Sequence, residues 1–277
     1  MTLAGEEDPD DAFSSVPYEK GCTLLTHFET LVGGPKVMNA FLKAYFAHFK
    51  YQCISTDDFR GFFLSFASAN GVPAAKLDAI DWDTLLYAPG LPVRPEFDDS
   101  LARDVAAAAE AVIAGAAVPA SCNSAQWTST QVIVYLDKLI DAHDGEVTTA
   151  NAAADPAAAR AAVAAKWLAV MERAFEGVVP SVAAMKANPE QNFRYLTLMV
   201  RAGPRAGEAA AATAAAAEAF LVSNGRMKFV RPLYRDLFTS AFKPQGEAVF
   251  KRVKAQYHSI CAKMVQRDLD AATNLWD

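Results

Sequence analysis

The four histidines, His27, His48, His143 and His258, are where metal or acid–base chemistry would first be sought, and none belongs to an HExxH pair. Asp141-Ala-His143-Asp144 gathers three potential ligands but lacks a second histidine. A solvated helix terminus is the reading its composition favours. The chain has no GxSxG elbow, no phosphate loop and no dinucleotide glycine fingerprint. Tyr18, after Pro17, reads by position alone as a surface tyrosine at a helix start, with Glu19 well placed in the first turn. From Arg226 to Arg267 there are ten Lys or Arg, with only Asp236 and Glu247 as acids. Such a stretch in an acidic protein is a solvated basic face that draws anionic groups toward it.

The elements that must carry these residues are almost all helical. Leu24, Leu25, Phe28, Leu31 and Val32 fall at helical spacing between Tyr18 and Val32, and Gly33-Gly34 stops the run. Pro35 suits the first turn of a second helix faced by Val37, Phe41, Leu42, Tyr45, Phe46 and Phe49. Ser55-Thr-Asp-Asp58 has the form of a capping box and opens a third helix through Phe59, Phe62, Phe63 and Phe66. Three prolines and a glycine between Tyr87 and Pro95 interrupt any helix there and mark a link between two helical regions.

Beyond the link, the spacing predicts helices over about Asp99–Ala117, Ser129–Ala142, Pro156–Phe175, Val179–Ala187, Pro189–Ala202, Pro204–Ser223, Lys228–Phe242 and Gln245–Leu275. Short breaks between them predict antiparallel neighbours in a two-layer, solenoid-like stack without a strict sequence period. Ten of the fourteen residues from Ala206 to Ala219 are alanine, which makes a thin helix suited to close packing or to solvent. Trp82, Trp127, Trp167 and the helically spaced phenylalanines are expected in cores.

At 277 residues, 52% hydrophobic and 21% charged, the chain is long enough for one large or two modest folded domains. A net charge of −6 argues against a general nucleic-acid binder. No apolar run approaches a membrane span, and the acidic stretch Met1 to Asp11 is the reverse of a secretory signal. Cys22, Cys53, Cys122 and Cys261 form no CxxC pair, so reduced thiols in a cytoplasmic protein are expected.

Two segments carry a sharper signal. One is Asp8-Pro-Asp-Asp-Ala-Phe-Ser-Ser-Val-Pro-Tyr-Glu-Lys-Gly21, running on to Gly33-Gly34-Pro35. The other is Gly225-Arg-Met-Lys-Phe-Val-Arg-Pro-Leu-Tyr-Arg-Asp236. Both resemble the leukotriene A4 hydrolase branch of the zinc aminopeptidases, the gluzincins of peptidase family M1. Lys43-Ala-Tyr45, Ser55-Thr-Asp-Asp58, Asp81-Trp82 and Tyr87-Ala-Pro-Gly-Leu-Pro92 match the same family in order. The resemblance runs from about Asp8 to Asp268 and thins in the alanine-rich middle.

That resemblance implies an all-α fold. Residues 1–94 would be the end of a zincin-type helical catalytic domain, and residues 95–277 a two-layer α-α superhelical, armadillo-like C-terminal domain. The β-rich N-terminal domain, the GxMEN substrate loop and the HExxH zinc site of the family have no counterpart in this chain. The expectations are therefore zinc in the complete enzyme, none bound by this chain, and an isolated chain that is inactive. The implied partners are a short peptide substrate and the missing N-terminal and zinc-binding domains, with no nucleic acid and no membrane.

The family's residue roles carry over position by position. Tyr18 matches the tyrosine that donates a hydrogen bond to the oxyanion formed when zinc-bound water attacks the scissile carbonyl, with the absent HExxH glutamate as base. Arg226 and Lys228 match the basic pair that holds the substrate's terminal carboxylate, for which arginine offers two parallel hydrogen bonds. Asp10 matches an aspartate that directs water during lipid-epoxide hydrolysis and shapes the peptidase pocket. Phe13 stands where leukotriene hydrolases carry a tyrosine, which makes the pocket wall more apolar and weighs against epoxide chemistry. Glu19 and Lys20 are helix-start residues that orient Tyr18, and Arg231 and Arg235 are support. Two alternatives remain: a helical interaction module that lost its catalytic half, and lipid-epoxide hydrolysis in the full-length enzyme.

Overall fold

The computed structural model describes residues 15–91, 95, 97–122, 124–175 and 182–272, so Asp10 and Phe13 lie outside the described residues. Every regular element among these residues is helical, and the chain packs as two units, Met1–Phe97 and Asp98–Asp277.

The first unit opens with α1 (Val16–Leu31) and α2 (Pro35–Phe49), separated by Gly33 and Gly34 at φ of 96° and 106°. Only glycine adopts that backbone cheaply, and Gly34 N–H donates back to the Glu29 carbonyl at 2.8 Å. α3 (Thr56–Ala69) starts on a complete capping box. Ser55 Oγ accepts from Asp58 N–H at 3.3 Å, and Asp58 accepts from Ser55 N–H at 2.7 Å. The short helices α4 (Ala74–Asp78) and α5 (Trp82–Tyr87) complete the unit; their brief periods had no helical signature in the sequence. Phe28, Phe41 and Phe63 are fully buried and Trp82 nearly so, with the rings of Phe28 and Phe63 4.4 Å apart. Such aromatic contacts, added to the area they remove from water, hold α1, α2, α3 and α5 on one core.

The second unit comprises α6 (Ser100–Ala114), α7 (Ser129–Asn151), α8 (Pro156–Ala174), α9 (Val182–Ala187), α10 (Pro189–Ala202), α11 (Gly207–Ser223), α12 (Met227–Phe238), α13 (Lys243–Val253) and α14 (Ser259–Ala271). Helices α7, α10, α12 and α14 follow one another in space as one row. Helix α6 packs beside α8 and α11 beside α13, forming the other layer. Two cores result. Val132, Tyr135, Leu136, Leu139 and Trp167 centre one, and Phe220, Leu233, Tyr234, Leu237 and Phe250 the other; half-buried Tyr195 packs against both.

Helix α6 ends at Ala114, before Gly115 in the left-handed region, and α11 starts at Gly207, also left-handed, and not at Pro204; three further boundaries differ more from the sequence reading. Helix α7 continues nine residues beyond Ala142 because α8 packs along its second half, where Trp167 Nε1 donates to Glu146 at 3.3 Å and Lys166 pairs with the same carboxylate. His143 therefore sits buried within the helix, its ring edge-on to Trp167 at 5.2 Å, and not at a solvated terminus. Helix α12 stops at Phe238, because the Ser240 hydroxyl turns the chain by donating to Leu237 O and accepting from Phe242 N–H. The expected long last helix breaks at Tyr257, whose hydroxyl is drawn into the core to donate to Leu221 O at 2.9 Å. The alanine-rich helix buries Ala210, Thr213, Ala217, Phe220 and Leu221, so it packs closely along one stripe and meets solvent elsewhere.

Candidate active site

Tyr18 stands in the first turn of α1, after Pro17, which fits a first-turn position because its missing N–H has no helical partner there. Its side chain is 67% exposed. The neighbouring Lys20 is half-buried, and its ammonium donates to the carbonyls of Leu86 and Ala88 at 3.2 and 3.3 Å. Those carbonyls lie at the C-terminal end of α5, where a cation is favoured by the helix dipole. The lysine thus ties the start of α1 to the Tyr87-Ala-Pro-Gly segment, and Val16, Pro17, Lys20 and Tyr87 line a cavity of about 240 Å³ at this junction.

Arg226 and Lys228 lie in the second unit, Arg226 as the residue capping α12 and Lys228 in its first turn. The structure brings them together on one carboxylate. Lys228 Nζ is 2.5 Å from Glu190 Oε1, and Arg226 Nη1 is 3.9 Å from the same atom. Both cations also stand over the Phe229 ring, at 5.7 and 5.4 Å from its centre. Glu190 opens α10, where Asn188 accepts from its backbone N–H at 2.9 Å. Its second oxygen accepts from Arg194 at 3.0 Å, and Arg194 reaches back to Asp137 on α7 at 2.6 Å. The hydrogen bond from Lys228, followed by that from Arg194, holds the Glu190 carboxyl below its ordinary range. Glu190 carried no motif in the sequence; a carboxylate in a first helical turn is explained by the dipole alone.

Deeper in the same layer, Arg201 links three helices. Its Nε and Nη2 donate to Asp236 at 2.9 and 2.7 Å, and its Nη1 donates to Asp144, which also pairs with His143 at 3.0 Å. Burial pushes Asp236 up to about 6 against the opposing pull of Arg201. Arg231 grips Asp268 with two hydrogen bonds of 2.7 and 3.0 Å, joining α12 to α14. Among the described residues, no three His, Cys, Asp or Glu side chains lie together so as to hold a metal ion. No described helix is long and apolar enough to cross a membrane.

The chain as a whole resembles known proteins. Residues 127–269 match the family described as leukotriene A4 hydrolase, C-terminal, and residues 1–82 match the peptidase family M1 domain. Leucine aminopeptidase 2 of Vanderwaltozyma polyspora is 33% identical over 276 residues, covering 95% of this chain and 38% of the relative. Leucine aminopeptidase 2 of Candida albicans is 34% identical over 266 residues, with 95% and 39% covered. Among solved structures, native leukotriene A4 hydrolase from Saccharomyces cerevisiae superposes with a TM-score of 0.73 at 28% identity, covering 97% of this chain and 41% of that one. The chain thus spans about two-fifths of the length of these relatives. Its all-α fold, the paired family matches and the ordered motifs around Tyr18 and Arg226 agree, and the chain belongs to the leukotriene A4 hydrolase family of M1 peptidases.

Proposed function

We propose that this chain is the C-terminal portion of a cytoplasmic zinc aminopeptidase that removes N-terminal residues from short peptides. Residues 1–94 form the end of its catalytic domain and residues 95–277 its helical C-terminal domain. The observation that supports this best is the Arg226–Lys228 pair: two cations with open faces, held together on α12 within a chain of this family. Arg226 offers a fork of donors and Lys228 a point charge, a combination that grips a terminal carboxylate and so sets the register of a short peptide. Tyr18 donates a hydrogen bond to the carbonyl oxygen as negative charge develops on it, which favours the transition state over the ground state. The chain's sequence contains no HExxH segment, so on this reading the family's zinc would be held by residues outside it.

The test is peptidase activity of the full-length protein containing this chain. Tyr18→Phe should lower kcat about 10²- to 10³-fold with little change in KM. Lys228→Met should raise KM about tenfold for peptides with a free carboxylate and leave their C-terminal amides unaffected. The isolated chain supplied with zinc should not turn over peptide. Robust turnover by that chain, or wild-type kinetics in both variants, would overturn the assignment.

A further inference from the structure

We propose that Lys20 is a positioning residue for Tyr18, and that the C-terminal end of α5 is the mount on which it does so. The inference rests on the reading of Tyr18 as the oxyanion donor and names what holds that tyrosine in place.

The start of α1 is weakly secured by its own residues. Ser15 stands at the capping position in a helical conformation, and its side chain makes no cap hydrogen bond. Val16, Tyr18 and Glu19 are exposed, and the first residue of α1 to pack against the hydrophobic core of the unit is Leu24. An exposed first turn without a cap opens at little cost in free energy.

Lys20 supplies a tertiary tie ahead of that core. Its ammonium donates to Leu86 O at 3.2 Å and to Ala88 O at 3.3 Å, 66 and 68 residues away in the chain. Leu86 O belongs to the last turn of α5, where a carbonyl has no N–H further along the helix to accept from. The ammonium fills that need and meets the negative end of the helix. Residues two apart lie about 200° from each other around a helix axis. With Lys20 fixed against α5, Tyr18 is therefore presented on the opposite side, where its side chain is 67% exposed and open to a substrate carbonyl. Without the tie, the first turn would let the phenol drift by the ångström or so that a transition-state hydrogen bond does not tolerate.

The experiment is a double-variant cycle in the full-length protein containing this chain, with alanine p-nitroanilide as the probe because it has no terminal carboxylate. Lys20 is not part of the hydrophobic core, so its replacement leaves the fold in place. Lys20→Met should lower kcat about 10- to 100-fold, with KM changed less than about twofold. Lys20→Arg should recover most of that loss: arginine keeps the donors, and the adjoining cavity of about 240 Å³ has room for its larger head. Lys20→Met combined with Tyr18→Phe should be no slower than Tyr18→Phe alone, because the lysine acts only through the hydroxyl already removed. Hydrogen exchange of the 277-residue chain reads the tie without activity. The amides of Tyr18 and Glu19, each bonded to Ser15 O at 3.1 Å, should exchange faster in Lys20→Met, while those of α2 and α3 stay unchanged.

If Tyr18→Phe is slow but Lys20→Met is as fast as wild type, or the two losses multiply in the double variant, the role of Lys20 is overturned while that of Tyr18 stands. A loss in Lys20→Met no larger than its loss of folded protein overturns it too, as does unchanged exchange of the first-turn amides. If Tyr18→Phe keeps the wild-type kcat, the reading of Tyr18 falls and the positioning role falls with it.

Discussion

Asp236 is buried against Arg201, yet only one of its oxygens is bonded: Oδ1 takes both Arg201 hydrogen bonds and Oδ2 has no partner among the described residues. Burial raises its pKa from 3.8 to about 6, while Arg201 and, to a smaller extent, Arg235 pull it down and Asp144 pushes it up. The folded state therefore binds this proton more tightly than the unfolded chain does. The group's contribution favours folding below pH of about 4 and is progressively lost as pH rises through 6. Asp144 behaves oppositely: burial works against its charge, but His143 and Arg201 together hold its carboxyl below the usual range. Asp236→Asn replaces a carboxyl that is largely protonated at pH 4.5 by a neutral group of similar shape, so it should lie close to wild type at that pH. By pH 7.5 wild type should have lost stability relative to the variant, read from urea midpoints at each pH. A variant that instead loses ground to wild type as pH rises would contradict the burial-driven shift.

At the scale of the element, α11 shows how a helix without bulk packs. Ala217 is 1% exposed and faces the second core, whereas Ala211 lies on the solvent side of the same helix. Ala217→Leu should cost about 1–3 kcal/mol through overpacking. Ala211→Leu should change stability by less than about 0.5 kcal/mol, since leucine is nearly as good a helix former. Thermal unfolding of the two variants checks the pair, and equal losses would refute the packing assigned to this helix. The alanine run left close packing and solvent exposure both open in the sequence and did not show which alanines are buried, because a face of uniform residues has no periodicity to read. The capping signal was more informative. The box at Ser55 formed, since it needs only residues three apart; the structure adds a second at Thr128 that was not singled out in the sequence. The break at Tyr257 was illegible for the opposite reason: its hydroxyl finds Leu221 O, a partner that only the fold brings near, whereas the turn at Ser240 rests on local bonds to Leu237 and Phe242.

For the whole molecule, the four thiols report on both units at once. Cys22 and Cys53, in the first unit, are exposed; Cys122 and Cys261, in the second, are buried. Burial also pushes the Cys261 thiol up, away from the reactive thiolate. Mass spectrometry after brief alkylation should find Cys22 and Cys53 modified in the native protein, and Cys122 and Cys261 only after denaturant is added. Native modification of Cys261 would mean that the second unit opens far more readily than its core implies.

The sequence by itself determined the helical class, most helix starts and the family, because these rest on short-range signals: apolar spacing, caps, prolines, and motifs in a set order. It also pointed to Tyr18, Arg226 and Lys228, through residues adjacent to them in the chain. Only the tertiary structure decided that Glu190 joins Arg226 and Lys228, that Lys20 ties α1 to the end of α5, and that His143 is buried beside Trp167. It alone raised Asp236 toward neutrality. These are electrostatic and packing effects between helices distant in the chain, and their strength depends on separation and on access to water, which no local pattern encodes.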